Sequence, residues 1–141
     1  MKKKLIVALI PLFYALFISY GPAIAESTPA EVTEAAEAWL KLVDNGEYGK
    51  TFDTAAEIFK SASTKIQWEA TLDLVRKNLG KTIERKPLSA QFATSLPGAP
   101  DGEYYVMEFR TVFQNKKEAV ERLVPMKEKD GRWRVSGYFI R

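Results

Sequence analysis

Between positions 32 and 43 the apolar residues Val32, Ala35, Ala36, Trp39, Leu42 and Val43 fall three or four apart, with the glutamates mostly off that stripe. The spacing predicts an amphipathic helix. Thr28-Pro29-Ala30-Glu31 supplies its start: Thr28 as N-cap, Pro29 at the first helical position, Glu31 completing a capping box. Asp44-Asn45-Gly46 ends it, Gly46 or Asn45 taking the left-handed conformation. A second, shorter helix is predicted over 47–60, with Tyr48, Phe52, Ala55, Ala56 and Phe59 as its apolar stripe. Gly49 inside it costs about 1 kcal/mol relative to alanine. Thr64-Lys65-Ile66-Gln67 is another capping box, opening a third helix that carries Trp68, Leu72, Val75 and Leu79 and closes at Gly80.

After Gly80 the period falls to two. Residues 81–96 alternate loosely, with Leu88, Ala90, Phe92 and Leu96 on one side and Pro87 marking an edge or a bulge. Pro97-Gly98-Ala99-Pro100-Asp101-Gly102 is a turn. Residues 103–113 are the clearest strand: Tyr105, Met107, Phe109, Thr111 and Phe113 alternate with Tyr104, Val106, Glu108, Arg110 and Val112. A turn at Gln114-Asn115-Lys116 leads to a strand over 117–127. Asp130-Gly131 then marks a hairpin into a last strand over 132–140, where Gly137 marks a bulge or bend. Helices first and an antiparallel meander second is an α+β architecture: N-terminal helices packed on a curved sheet of about four strands.

The N-terminal segment has a different pattern. Lys2-Lys3-Lys4 precedes an uncharged apolar run from Leu5 to Tyr20, broken by Gly21-Pro22. Ala23-Ile24-Ala25 then presents small residues for cleavage between Ala25 and Glu26. This is the layout of a secretory signal peptide over 1–25, leaving 26–141 as one domain, soluble in the periplasm or secreted. Membrane contact is expected only through the uncleaved signal. The chain carries 21 basic and 18 acidic residues, but three of the lysines lie in the signal, so the expected mature chain is formally neutral. That balance argues against nucleic acid as a partner. Acids cluster between Glu26 and Ser63 and bases between Lys116 and Arg141, read as solvated faces. There is no cysteine, so stability in an oxidising compartment rests on burial alone.

The segments Ala38-Trp39-Leu40, Gln67-Trp68, Ser95 to Tyr104 around the proline-glycine turn, and Asp130 to Tyr138 resemble domain-of-unknown-function family 4019. The resemblance spans essentially all of 26–141 and implies a small secreted bacterial protein with no assigned activity. The order of elements is also similar to the cone of nuclear-transport-factor-like or cystatin-like folds, which often leave a pocket between sheet and helices.

With neither histidine nor cysteine, the chain lacks Ser-His-Asp and Cys-His nucleophilic sites and the usual zinc, copper and haem ligand sets. No phosphate-binding glycine loop or calcium loop is present, and no cofactor or metal is expected. The remaining enzymatic arrangement is Glu108 and Arg110 with Tyr104 or Tyr138, a carboxylate and tyrosine doing acid–base chemistry. Strand alternation places Glu108 and Arg110 on the outer face, away from the helices, so no catalytic residue is assigned. Trp39, Trp68, Tyr105, Met107, Phe109 and Trp133 are the candidate ligand-lining residues, and as large aromatics at core spacing they are equally core fillers. Lys127, Lys129, Arg132 and Arg134 crowd one hairpin, diluted by Glu128 and Asp130. The function expected is that of an exported non-enzymatic binding or protein-interaction module, with an unknown protein or a second copy as partner, using the sheet face. The alternatives are a carrier of a small apolar ligand in a cone-shaped pocket, and a metal-free acid–base enzyme.

Overall fold

In a computed structural model the described residues are 28–141; the segment expected to be a signal peptide, with its expected cleavage point between Ala25 and Glu26, lies outside them. Four helices come first: α1 (Ala30–Asp44), α2 (Tyr48–Asp53), α3 (Glu57–Ala62) and α4 (Lys65–Leu79). Four strands follow: β1 (Thr82–Ala93), β2 (Tyr104–Phe113), β3 (Lys116–Lys127) and β4 (Trp133–Ile140). The strands form one antiparallel sheet in the order β1-β2-β3-β4, and the helices pack on one face of it, which is the α+β arrangement read from the pattern. No helix among the described residues is long and apolar enough to cross a membrane.

Local chemistry accounts for most boundaries. At the end of α1, Glu47 N–H donates to the Leu42 carbonyl at 2.9 Å and Gly46 N–H to the Val43 carbonyl at 3.0 Å. This is the paired closure that requires a left-handed residue, and Gly46 supplies it at φ 74°. Its start differs from expectation. Pro29 sits at the N-cap with φ −54° and ψ 140°, and no side chain caps the helix; the Pro29 carbonyl instead takes Val32 N–H at 3.0 Å. Thr28 is therefore one residue too far out. The capping box at α4 forms as read, the Thr64 hydroxyl accepting from Gln67 N–H and the Gln67 side chain from Thr64 N–H, both at 3.2 Å. Gly80 ends α4 at φ 75°, where a Cβ would lie 2.8 Å from that of Gln114.

The helix expected over 47–60 is two. Ala56 is extended and donates its N–H to the Val135 carbonyl in β4 at 2.8 Å, exchanging a helical bond for one to the sheet. Both Ala55 and Ala56 are fully buried at the break.

Each ladder contains a register slip. In β1 the slips fall at Ile83 and Leu88, so Leu88 leaves the alternation expected of it while Ala90 and Phe92 stay opposite Met107 and Tyr105. Another lies between Thr111 and Phe113 against β3. In β4 the slip leaves Ser136 between Val135 and Gly137, and its hydroxyl donates to the Val124 carbonyl at 2.7 Å. Bulges bend and twist a sheet. Here Tyr105 and Trp133, on strands separated by β3, bring their rings to 5.5 Å. Strand spacing alone would hold such positions about 9.5 Å apart, so the two side chains lean together over β3 on the helix-bearing face.

Candidate functional site

The helix-bearing side of the sheet divides into three zones. In the closed zone Trp39 and Trp68 are 3 % and 0 % exposed, with ring centroids 6.2 Å apart. Phe59 stands edge-on to Trp68 at 4.7 Å, and Tyr138 edge-on to Trp39 at 5.1 Å. Both indole N–H groups are used internally. Trp39 donates to the Thr51 carbonyl at 2.9 Å and Trp68 to the Thr51 hydroxyl at 2.8 Å. Met107 and Phe109 belong to the same buried cluster. Four of the six candidate ligand residues thus lie in packed core.

Next to this core lies a polar zone that the periodicity reading did not single out. Glu121 of β3 is fully buried. One carboxylate oxygen accepts from Arg85 Nε at 2.7 Å and from the Thr111 hydroxyl at 2.5 Å; the other accepts from Arg85 Nη2 at 3.2 Å and from the Tyr138 hydroxyl. Arg85 also holds Asp44 at the end of α1, with contacts of 2.7 and 3.0 Å. Asp44 in turn takes Arg76 of α4 at 3.2 Å and the Thr82 hydroxyl at 2.8 Å. Two helices and four strands therefore converge on four charged groups, Asp44, Arg76, Arg85 and Glu121. A carboxylate offers about four acceptor positions, and all four on Glu121 are filled.

The electrostatics follow from this packing. Burial, and then the neighbouring Glu121 charge, push the Tyr138 hydroxyl well above the ordinary tyrosine range. Burial alone would raise Asp44, but the Arg85 hydrogen bonds and charge, with help from Thr82 and Arg76, outweigh it and hold the carboxyl below its ordinary value. Glu121 could have been located from the hairpin register. It stands opposite Phe109, and facing residues of an antiparallel pair share a side.

The third zone is an open shelf at the far end of the same face. Phe92, Tyr105 and Trp133 form a row with centroid spacings of 5.4 and 5.5 Å. Phe92 is 51 % exposed, Tyr105 and Trp133 are half-buried, and the Trp133 indole N–H has no hydrogen-bond partner. The structure thus brings Tyr105 and Trp133 together with Phe92, the first two packed against the cluster that holds Trp39 and Trp68.

Two surface clefts flank these zones. One, of about 160 Å³, lies between α1 and β1, where Glu37, Lys41, Asp44, Arg85 and Phe109 are among its lining residues. The other, of about 310 Å³, is lined by Leu88, Arg110, Glu118, Ala119, Val120 and Arg141. Glu108 faces the opposite side of the sheet and holds Arg122 at 2.5 Å, a cross-strand pair. In the β3–β4 hairpin Arg134 gathers both acids, Glu128 at 3.0 Å and Asp130 at 2.7 Å. The Arg134 bonds, with the Arg132 N–H, hold the Asp130 carboxyl down at about 2.

A small α+β domain, its antiparallel sheet partly covered by helices and partly left as an aromatic shelf, is the class these features define. Residues 35–138 match the family model described as protein of unknown function (DUF4019), and the chain belongs to that family. No curated protein matches the chain.

Proposed function

We propose that this protein is a non-catalytic binding module that works after export, and that it takes its ligand or partner on the Phe92–Tyr105–Trp133 shelf. The observation that carries this reading is the shelf itself. Elsewhere on the helix-bearing face the aromatic rings are closed into the core, while here three stand tilted or edge-on to one another in a row that ends on the exposed Phe92. Partly exposed aromatics offer large contact area at little cost in conformational entropy. The filled coordination of Glu121 supports a non-catalytic role, because a working base needs a lone pair directed at substrate. Export is supported by the N-terminal charge and hydropathy pattern.

The test uses an apolar fluorescent dye, anilinonaphthalene sulfonate, on the wild type and on Phe92→Ser and Trp133→Phe. The dye is expected to bind the wild type and to lose most of its signal with either variant, while far-ultraviolet circular dichroism stays unchanged. Equal dye binding by all three folded proteins would refute the shelf. Native mass spectrometry of the gently purified protein separates small-molecule carriage from protein binding: an added mass of a few hundred daltons points to the former.

A further inference from the structure

Helix α4 has two apolar faces. Trp68, Leu72, Val75 and Leu79 face the core. On the opposite side Ile66 is 81 % exposed, Ala70 is exposed and Leu74 is 62 % exposed. Residues four apart stack along one ridge of a helix, so these three form an unbroken apolar row. The cations near its two ends are drawn aside: Lys65 pairs with Asp53 at 2.8 Å and Lys77 with Asp73 at 2.7 Å.

We propose that this row pairs with the same row of a second copy of the chain, the two α4 helices running antiparallel across a two-fold axis at Ala70. Three features favour that occupant. The small residue sits at the centre, where crossing helices come closest, with interaxial distances of about 8–10 Å. The larger residues are disposed symmetrically about it, so an antiparallel pair sets Ile66 against the partner's Leu74 twice, as a closed isologous contact requires. The flanking charges also discriminate between orientations. A parallel pair would level Glu69 with Glu69, Asp73 with Asp73 and each lysine with its own copy. The antiparallel pair levels Glu69 with Thr71 and Asp73 with Gln67. Like charges in register oppose association. A 15-residue helix offers less area than the roughly 800 Å² per partner of a standard stable interface, so the dimer is a transient one.

The experiment is sedimentation velocity on the protein as purified from expressing cells, over about 5 to 500 µM, with Ala70→Arg as the variant. Residue 70 is exposed, and arginine is a good helix former, so the fold is expected to survive, which circular dichroism checks. The wild type is expected to shift toward dimer across the series, and Ala70→Arg to need at least a tenfold higher concentration. A chain carrying both Ile66→Glu and Leu74→Lys places opposite charges together only in the antiparallel register. It is expected to recover association that Ile66→Glu alone loses, and failure to do so overturns that register. A wild type monomeric throughout, or an Ala70→Arg variant that dimerises equally, overturns the proposal. So does Ala70-dependent co-sedimentation with lipid vesicles in the absence of a dimer, which would assign the row to a membrane surface.

Discussion

Replacing Arg85 with methionine keeps much of the side chain's volume and removes its charge from the polar zone. Glu121 is then left buried with only Thr111 and Tyr138 as donors, while Asp44 keeps Arg76 and Thr82. The two halves of the loss differ in size. The Glu121 side chain is 0 % exposed, and removing one member of a buried pair costs about 3–5 kcal/mol. The Asp44 side chain is 27 % exposed, and its pair is worth less than about 1 kcal/mol. The expected destabilisation is about 3–4 kcal/mol, a large part of the ~6–17 kcal/mol that a domain of this size has in total. At about 2.1 cal/mol/K per residue this lowers Tm by about 12–17 °C. Urea unfolding followed by circular dichroism and tryptophan fluorescence should show the midpoint fall with little change in m. A second substitution tests the cause. Glu121→Gln added to Arg85→Met removes the stranded charge, and the double variant is expected to be more stable than Arg85→Met by at least about 1 kcal/mol. A loss below about 1 kcal/mol for Arg85→Met, or a double variant whose costs simply add, would refute the view that charge burial governs this site.

Tyr138 is expected to stay neutral while the fold persists. Its folded value is raised, so the stability it contributes is whole below the ordinary tyrosine range and is lost as pH rises through the raised value. Ultraviolet absorbance titration should show a last tyrosine ionising only with loss of circular dichroism and absent in Tyr138→Phe; its ionisation in an intact fold would contradict the geometry. At the acid end the sign reverses. Asp44 and Asp130 are depressed, Asp130 to about 2, so their contribution is present above about pH 4 and fades as pH falls toward about 2. Asp44→Asn and Asp130→Asn should each flatten the fall of the urea midpoint over that window, and slopes parallel to wild type would count against both ion pairs.

Elements set by neighbouring residues were legible in the sequence. The Thr64–Gln67 capping box, the Asp44-Asn45-Gly46 closure and the strand over 103–113 each carry their own chemistry, and each forms. What was not legible depended on distant partners. The helix break at Ala56 exists because Val135, far along the chain, offers a carbonyl. The slip at Leu88 depends on how β1 seats against β2. Glu121 reads as one of many charged strand residues, and only the register opposite Phe109 and the arrival of Arg85 and Tyr138 make it a core residue. The shelf was half legible: Tyr105 and Trp133 were singled out as aromatics, but their meeting over β3 and the joining of Phe92 to the row depend on how the strands pair.

The irregularity of β1 has a bearing on colloidal behaviour. This strand forms an outer margin of the sheet and carries Ile83, Leu88 and Phe92 at 64 %, 54 % and 51 % exposure. A long, straight, apolar margin of that kind is a template for fibre growth. Here the slips at Ile83 and Leu88 leave only Glu84–Pro87 and Ser89–Ala93 in regular register, and Pro87 has no N–H to offer an incoming strand. An added strand would have to reproduce both offsets to pair along the full length. The margin thus resists strand addition along its full length, while its side chains remain open to solvent.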